Sequence, residues 1–128
     1  MATAPSRRGD RQPSERRDVG LTLPRQVKEQ LLAAAGAHDC SAAAWVLAAS
    51  AEHGPALRDA LRVWEVRRRP RVDAAAFAVL QLTAAERDHL DGLAVACGLN
   101  RSVFVTSVSR LALGEELEVV LAPLVEPG

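Results

Sequence analysis

At 128 residues the chain has room for one compact domain, or for two very small units sharing a core. Its apolar content comes mostly from alanine and leucine, with aromatics at 3%, which favours closely packed helices over a β-sandwich or barrel. The net charge of zero hides an uneven distribution: residues 1–18 hold five Arg against three acids and residues 56–73 six Arg against three, whereas residues 74–128 hold three Arg against seven acids. Basic charge gathered in an arm and a linker is compatible with a polyanionic partner.

Residues 1–17 are rich in Arg, Ser and Pro and nearly devoid of apolar side chains, so they read as a basic arm that is disordered when free. They contain no apolar core of the kind a secretory leader needs. No stretch of the chain approaches the roughly 20 apolar residues of a membrane span. A cytoplasmic location away from any membrane is therefore expected.

A first unit is expected over 18–52. Val19, Leu21 and Leu23 alternate with Gly20 and Thr22, the period of a strand with one face on a core. Pro24 closes that strand and can open a helix. Val27, Leu31, Ala34 and Ala35 then keep the spacing of a one-sided helical stripe, ending at His38-Asp39. A second helix begins at Ser41 and carries Trp45, Val46 and Ala49. Residues 53–76 read as a linker: His53-Gly54-Pro55 breaks the chain, and Ala56–Val66, including Trp64, forms a separate amphipathic helix ended by Arg67-Arg68-Arg69-Pro70-Arg71.

A second unit is expected over 77–113. Residues 21–50 laid over 80–109, an offset of 59, match at Leu21/Leu80, Leu23/Leu82, Leu31/Leu90, Ala35/Ala94, Ala37/Ala96, Val46/Val105 and Ser50/Ser109. Lys28/Arg87, Glu29/Asp88 and Trp45/Phe104 are conservative matches. The value of these matches lies in their position, on the apolar phase of each element. In this copy Thr83 and Glu86 have capping-box spacing, Gly98 suits a left-handed helix end, and Asn100 caps the last helix. Residues 114–128 are an acidic and aliphatic tail.

The chemistry-bearing residues are sparse. Cys40 and Cys97 have no C-x-x-C spacing and read as buried free thiols near helix ends. His38, His53 and His89 show no metal-ligand spacing, and there is neither a nucleophile–base pattern nor a glycine-rich phosphate loop. The expectation is a protein that is not an enzyme and uses no metal and no cofactor.

The second copy, with Leu82-Thr83, Glu86, Leu90, Leu93-Ala94, Gly98, Asn100-Arg101-Ser102 and Phe104-Val105, resembles the ribbon-helix-helix family of Arc/MetJ-type DNA-binding proteins. Leu21-Thr22-Leu23-Pro24, Val27-Lys28-Glu29 and Leu31 of the first copy are similar up to the end of its first helix. Together the two copies cover about half of the chain. The resemblance implies a mainly α fold with two tandem ribbon-helix-helix units. Their strands would pair into one intramolecular antiparallel ribbon over four helices, with the linker helix in addition.

It also implies a double-stranded DNA partner, with the ribbon in the major groove. Residues of the outward phase would face the bases: Asp18, Gly20 and Thr22 on one strand, Phe77, Val79 and Gln81 on the other. Gly20, Thr22, Val79 and Gln81 are the expected base contacts. Ser41, Asn100, Arg101 and Ser102 would hold phosphates at helix N-termini, assisted by Arg17, Arg69 and Arg71.

The chain departs from the family pattern in offering only one Arg, Lys, Asn or Gln, Gln81, at these six positions, so Arg16, Arg17, Arg67–Arg69 and Arg71 would add sequence-independent affinity. The same residues also read as ordinary solvated positions. Three roles stay open: a transcriptional regulator, an accessory factor in plasmid mobilisation, and an antitoxin or other protein-binding module that uses Leu117–Val125. A second copy of the chain on DNA is a further expected partner.

Overall fold

The computed structural model describes residues 15–63, 66 and 74–125. It is mainly helical, with one two-stranded antiparallel sheet. In chain order the elements are β1 (Arg17–Pro24), α1 (Arg25–Ala37), α2 (Ala42–Leu61), β2 (Ala75–Leu82), α3 (Ala84–Ala96), α4 (Arg101–Ala112) and α5 (Leu117–Leu121).

The strands pair from Arg17↔Leu82 to Pro24↔Ala75. At the middle of this register Gly20 faces Val79, its own equivalent under the offset of 59. A position paired with its own counterpart lies on the pseudo-twofold axis of the ribbon. The helices obey the same offset: α1 and α3 are both 13 residues long, and α2 and α4 begin 59 positions apart, at Ala42 and Arg101.

Alternation along the strands sends Val19, Leu21 and Leu23 of β1, with Leu80 and Leu82 of β2, into the core. Beneath them lie Val27, Leu31 and Ala35 of α1 and Leu90 and Ala94 of α3. The deepest layer comes from α2 and α4, where Val46, Phe104, Val105 and Val108 are sealed from solvent. Each such side chain contributes about 1.5–3 kcal/mol on burial. Ser50 and Ser109, the matched serines, are fully buried within this layer, and the Ser50 hydroxyl donates to the Val46 carbonyl at 2.8 Å.

The turns repeat as well. Asp39 and Gly98 both take positive φ, 55° and 75°, and the next amide in each half bonds back into the helix, Cys40 to Ala35 and Leu99 to Ala94. Ser41 and Asn100 then cap α2 and α4, accepting from the amides of Ala44 and Val103 at 3.0 and 2.9 Å. Thr83 and Glu86 form a reciprocal capping box at the start of α3. Cys97 is buried, and burial raises its thiol pKa. Cys40, expected to be buried, instead follows the left-handed Asp39 in the turn and stands in solvent.

Two further expectations differ from the structure. His53-Gly54-Pro55 does not break the chain, and no separate linker helix forms among the described residues; α2 runs on to Leu61. Pro55 lacks an amide hydrogen and costs the helix about 3 kcal/mol. Leu57 and Leu61, on the far side of the proline, are buried, and at about 1.5–3 kcal/mol each their burial outweighs that cost. Gly54, the residue before the proline, lies over the Phe104 ring of α4, and a Cβ there would meet that ring at 3.5 Å, an ordinary van der Waals distance. Trp64, Arg67–Arg69 and Arg71 lie outside the described residues.

The acidic and aliphatic C-terminal segment packs back onto the fold over its described residues. Arg110 holds Glu115 through two hydrogen bonds of 3.0 and 2.7 Å, α5 follows, and Val120 and Leu124 are buried in the common core. Val125 forms an isolated antiparallel bridge with Val66.

Candidate nucleic-acid interface

The outward phase of the two strands makes one exposed face. Asp18 is paired with Gln81, Gly20 with Val79, and Thr22 with Phe77, in that order along the ribbon. All six residues are exposed. A Cβ built on Gly20 would lie 3.0 Å from Phe77 Cε1, so the Phe77 ring lies across the glycine at the centre of the face. Phe77 is nevertheless 66% exposed and Val79 41%. The Gln81 amide donates to the Asp18 carboxylate, closing the polar end of the ribbon on itself.

The expected base-facing residues Gly20, Thr22, Val79 and Gln81 thus share one surface. Phe77 occupies its centre, which strand phase alone did not reveal, because the seat for its ring is a glycine on the other strand.

The expected phosphate-binding residues are dispersed. Ser102 lies beside β1, where its hydroxyl accepts from the Thr22 amide at 2.9 Å. This bond occupies an edge amide of the ribbon and fixes the start of α4 against it. Asn100 and Arg101 adjoin it, while Ser41 caps α2, the pseudo-equivalent helix. The cap oxygens of Ser41 and Asn100 are committed to their own helices. Arg69 and Arg71 lie outside the described residues.

Three guanidinium-bearing residues line one hollow of about 320 Å³ beside β1: Arg17, Arg87 and Arg101, together with Asp18. Arg17 and Arg101 were expected here; Arg87 was not, although its match to Lys28 under the offset was a signal. Each arginine also meets a carboxylate. Arg101 binds Asp91 through two bonds of 2.7 Å, Arg17 meets Glu15 at 3.1 Å, and Arg87 meets Asp88 at 3.1 Å. The Arg101 guanidinium holds the Asp91 carboxyl below its ordinary pKa, and Asp91 in turn raises that of Arg101.

Arg16 bridges the strand and the capping box, bonding Glu86 at 2.6 Å and the Gln81 carbonyl at 3.3 Å. The Glu86 carboxyl is lowered first by the Thr83 amide and then by Arg16. The opposite flank is poorer in charge. The equivalents of Arg17, Arg87 and Arg101 are Ala76, Lys28 and Ala42, and Lys28 Nζ donates to the Phe77 carbonyl at 2.8 Å.

A second groove, of about 480 Å³, lies between β1, α4 and α5, lined by Thr22, Pro24, Thr106, Arg110, Val120 and Leu124 among others. Among the described residues no group of three His, Cys, Asp or Glu side chains could hold a metal ion, and no single helix is long and apolar enough to cross a membrane. No family model, no curated protein and no solved structure matches the chain.

Proposed function

We propose that the chain is a tandem ribbon-helix-helix protein that binds double-stranded DNA and acts as a transcriptional regulator, with β1 and β2 entering the major groove. The observation that carries this reading is the exposed ribbon itself. It has the width of an element the groove admits, its outward side chains share one surface, and a hollow with three arginines lies on its flank. The helix starts at Ser41 and Asn100 would supply backbone amides to phosphates, and Arg17, Arg87 and Arg101 would exchange carboxylate partners for them. An accessory role in mobilisation would use the same surface.

A protein partner is the second reading, favoured by the apolar centre of the ribbon, Phe77 and Val79. The C-terminal segment is a weaker docking element, because Val120 and Leu124 would have to leave the core.

Fluorescence anisotropy with DNA from the gene's upstream region and with a scrambled duplex, from low to moderate salt, tests the proposal. Tighter binding to the native sequence, lost in the triple variant Thr22→Ala/Val79→Ala/Gln81→Ala, is expected. Equal, strongly salt-dependent binding to both duplexes would limit the contact to phosphates. Absence of binding at low salt would overturn the proposal in favour of the protein partner.

A further inference from the structure

We infer that the DNA site is non-palindromic and is read chiefly through thymine methyl groups, with Phe77 and Val79 as the specificity-determining residues; this rests on the DNA reading above. The first argument is the inequivalence of the halves. The pseudo-twofold axis passes between Gly20 and Val79, and it relates Asp18 to Phe77, Gly20 to Val79 and Thr22 to Gln81. The members of every pair differ in size, and Asp18 and Phe77 differ in charge as well. Two half-sites related by the axis would therefore meet unlike surfaces, and a symmetric sequence would satisfy at most one of them.

The second argument is the chemistry of the face. It carries no lysine or arginine, the residues that make the commonest guanine contact. The Gln81 amide is already donating to Asp18, so the polar end is partly spent within the protein. What stands free is the Phe77 ring, laid over Gly20, with Val79 beside it and Thr22 across the strand. In the major groove the apolar feature of a base pair is the thymine methyl group. The flanks then set direction: three arginines on one side are answered by Lys28, Ala76 and Ala42 on the other, so the chain would bind in one orientation.

Selection of tight binders from a random duplex pool, followed by replacement of thymine with deoxyuridine in the enriched site, tests this inference. The expected result is an enriched sequence without twofold symmetry, weakened about four-fold for each contacted methyl removed, since burying one such group is worth roughly 0.8 kcal/mol. Phe77→Ala, at an exposed position outside the buried core, should erase most of the difference between thymine and uracil while leaving the urea midpoint of unfolding near that of the parent. A palindromic site, or equal affinity for thymine and uracil duplexes, would overturn the inference and leave DNA binding intact. A pool with no enriched sequence would overturn both this inference and the base-reading proposal.

Discussion

Gly54→Ala should stabilise the protein, although glycine followed by proline is an ordinary place for a chain to turn. In the structure Gly54 sits inside α2, a position where glycine is about 1 kcal/mol worse than alanine because more backbone freedom is lost on folding. The new methyl group would find the Phe104 ring 3.5 Å away, an ordinary van der Waals contact that adds burial without overpacking. The two contributions have the same sign, so the gain should be about 1–2 kcal/mol. For a chain of this size that is roughly 4 °C in Tm per kcal/mol. Thermal unfolding followed by circular dichroism, together with urea titration, measures it directly. A lower Tm, or an unchanged one, would refute the continuous helix and the packing that explains it. Pro55→Ala is the companion test: it should raise stability further by restoring a helical hydrogen bond, whereas at a true chain break it would be neutral or harmful.

Arg101→Ala should flatten the salt dependence of DNA binding by about 0.9 in log–log slope, at a stability cost of about 0.5 kcal/mol for the loss of its partly exposed pair with Asp91; an unchanged slope in anisotropy titrations would remove Arg101 from the interface. Asp39→Gly should gain about 1 kcal/mol by relieving a left-handed residue, and Gly98→Ala should lose about 1–2 kcal/mol for the converse reason, both read from urea midpoints. Glu86, Asp91 and Glu115 all have carboxyl pKa values lowered by amide or arginine partners. Their stabilisation is thus present above the unfolded carboxyl range near about pH 4 and is lost as pH falls through the folded values, so urea midpoints should decline on acidification.

Much of the architecture was legible because it is written in local phase. Leu21 and Leu23, like Leu80 and Leu82, declare a half-buried strand, and Thr83 with Glu86 declares a helix start. The offset of 59 carried more than similarity: it brings Gly20 opposite Val79 and places left-handed turns at both Asp39 and Gly98. What escaped notice depends on partners distant in sequence. The passage of α2 through Pro55 rests on the burial of Leu57 and Leu61, which a local rule for proline cannot weigh. The pairing of Arg101 with Asp91 was equally invisible, because the turn between α3 and α4 decides it. At the candidate site, strand phase identified which residues face outward but not that the Phe77 ring lies across the opposite strand.

The pairing of β1 with β2 also fixes when the molecule can be completed. Pro24 meets Ala75 and Arg17 meets Leu82, so no residue of the first strand finds its partner until the second has begun to be made, and Arg17 finds its own only when the second is complete. At a synthesis rate of about 5–20 residues per second, β1 waits on the order of several seconds with Val19, Leu21 and Leu23 uncovered. During that interval α1 and α2 can coil, since helices form within about a microsecond, but they have no sheet to close over. The first half of the chain is therefore exposed to association with other nascent chains, and the layer that seals it arrives last.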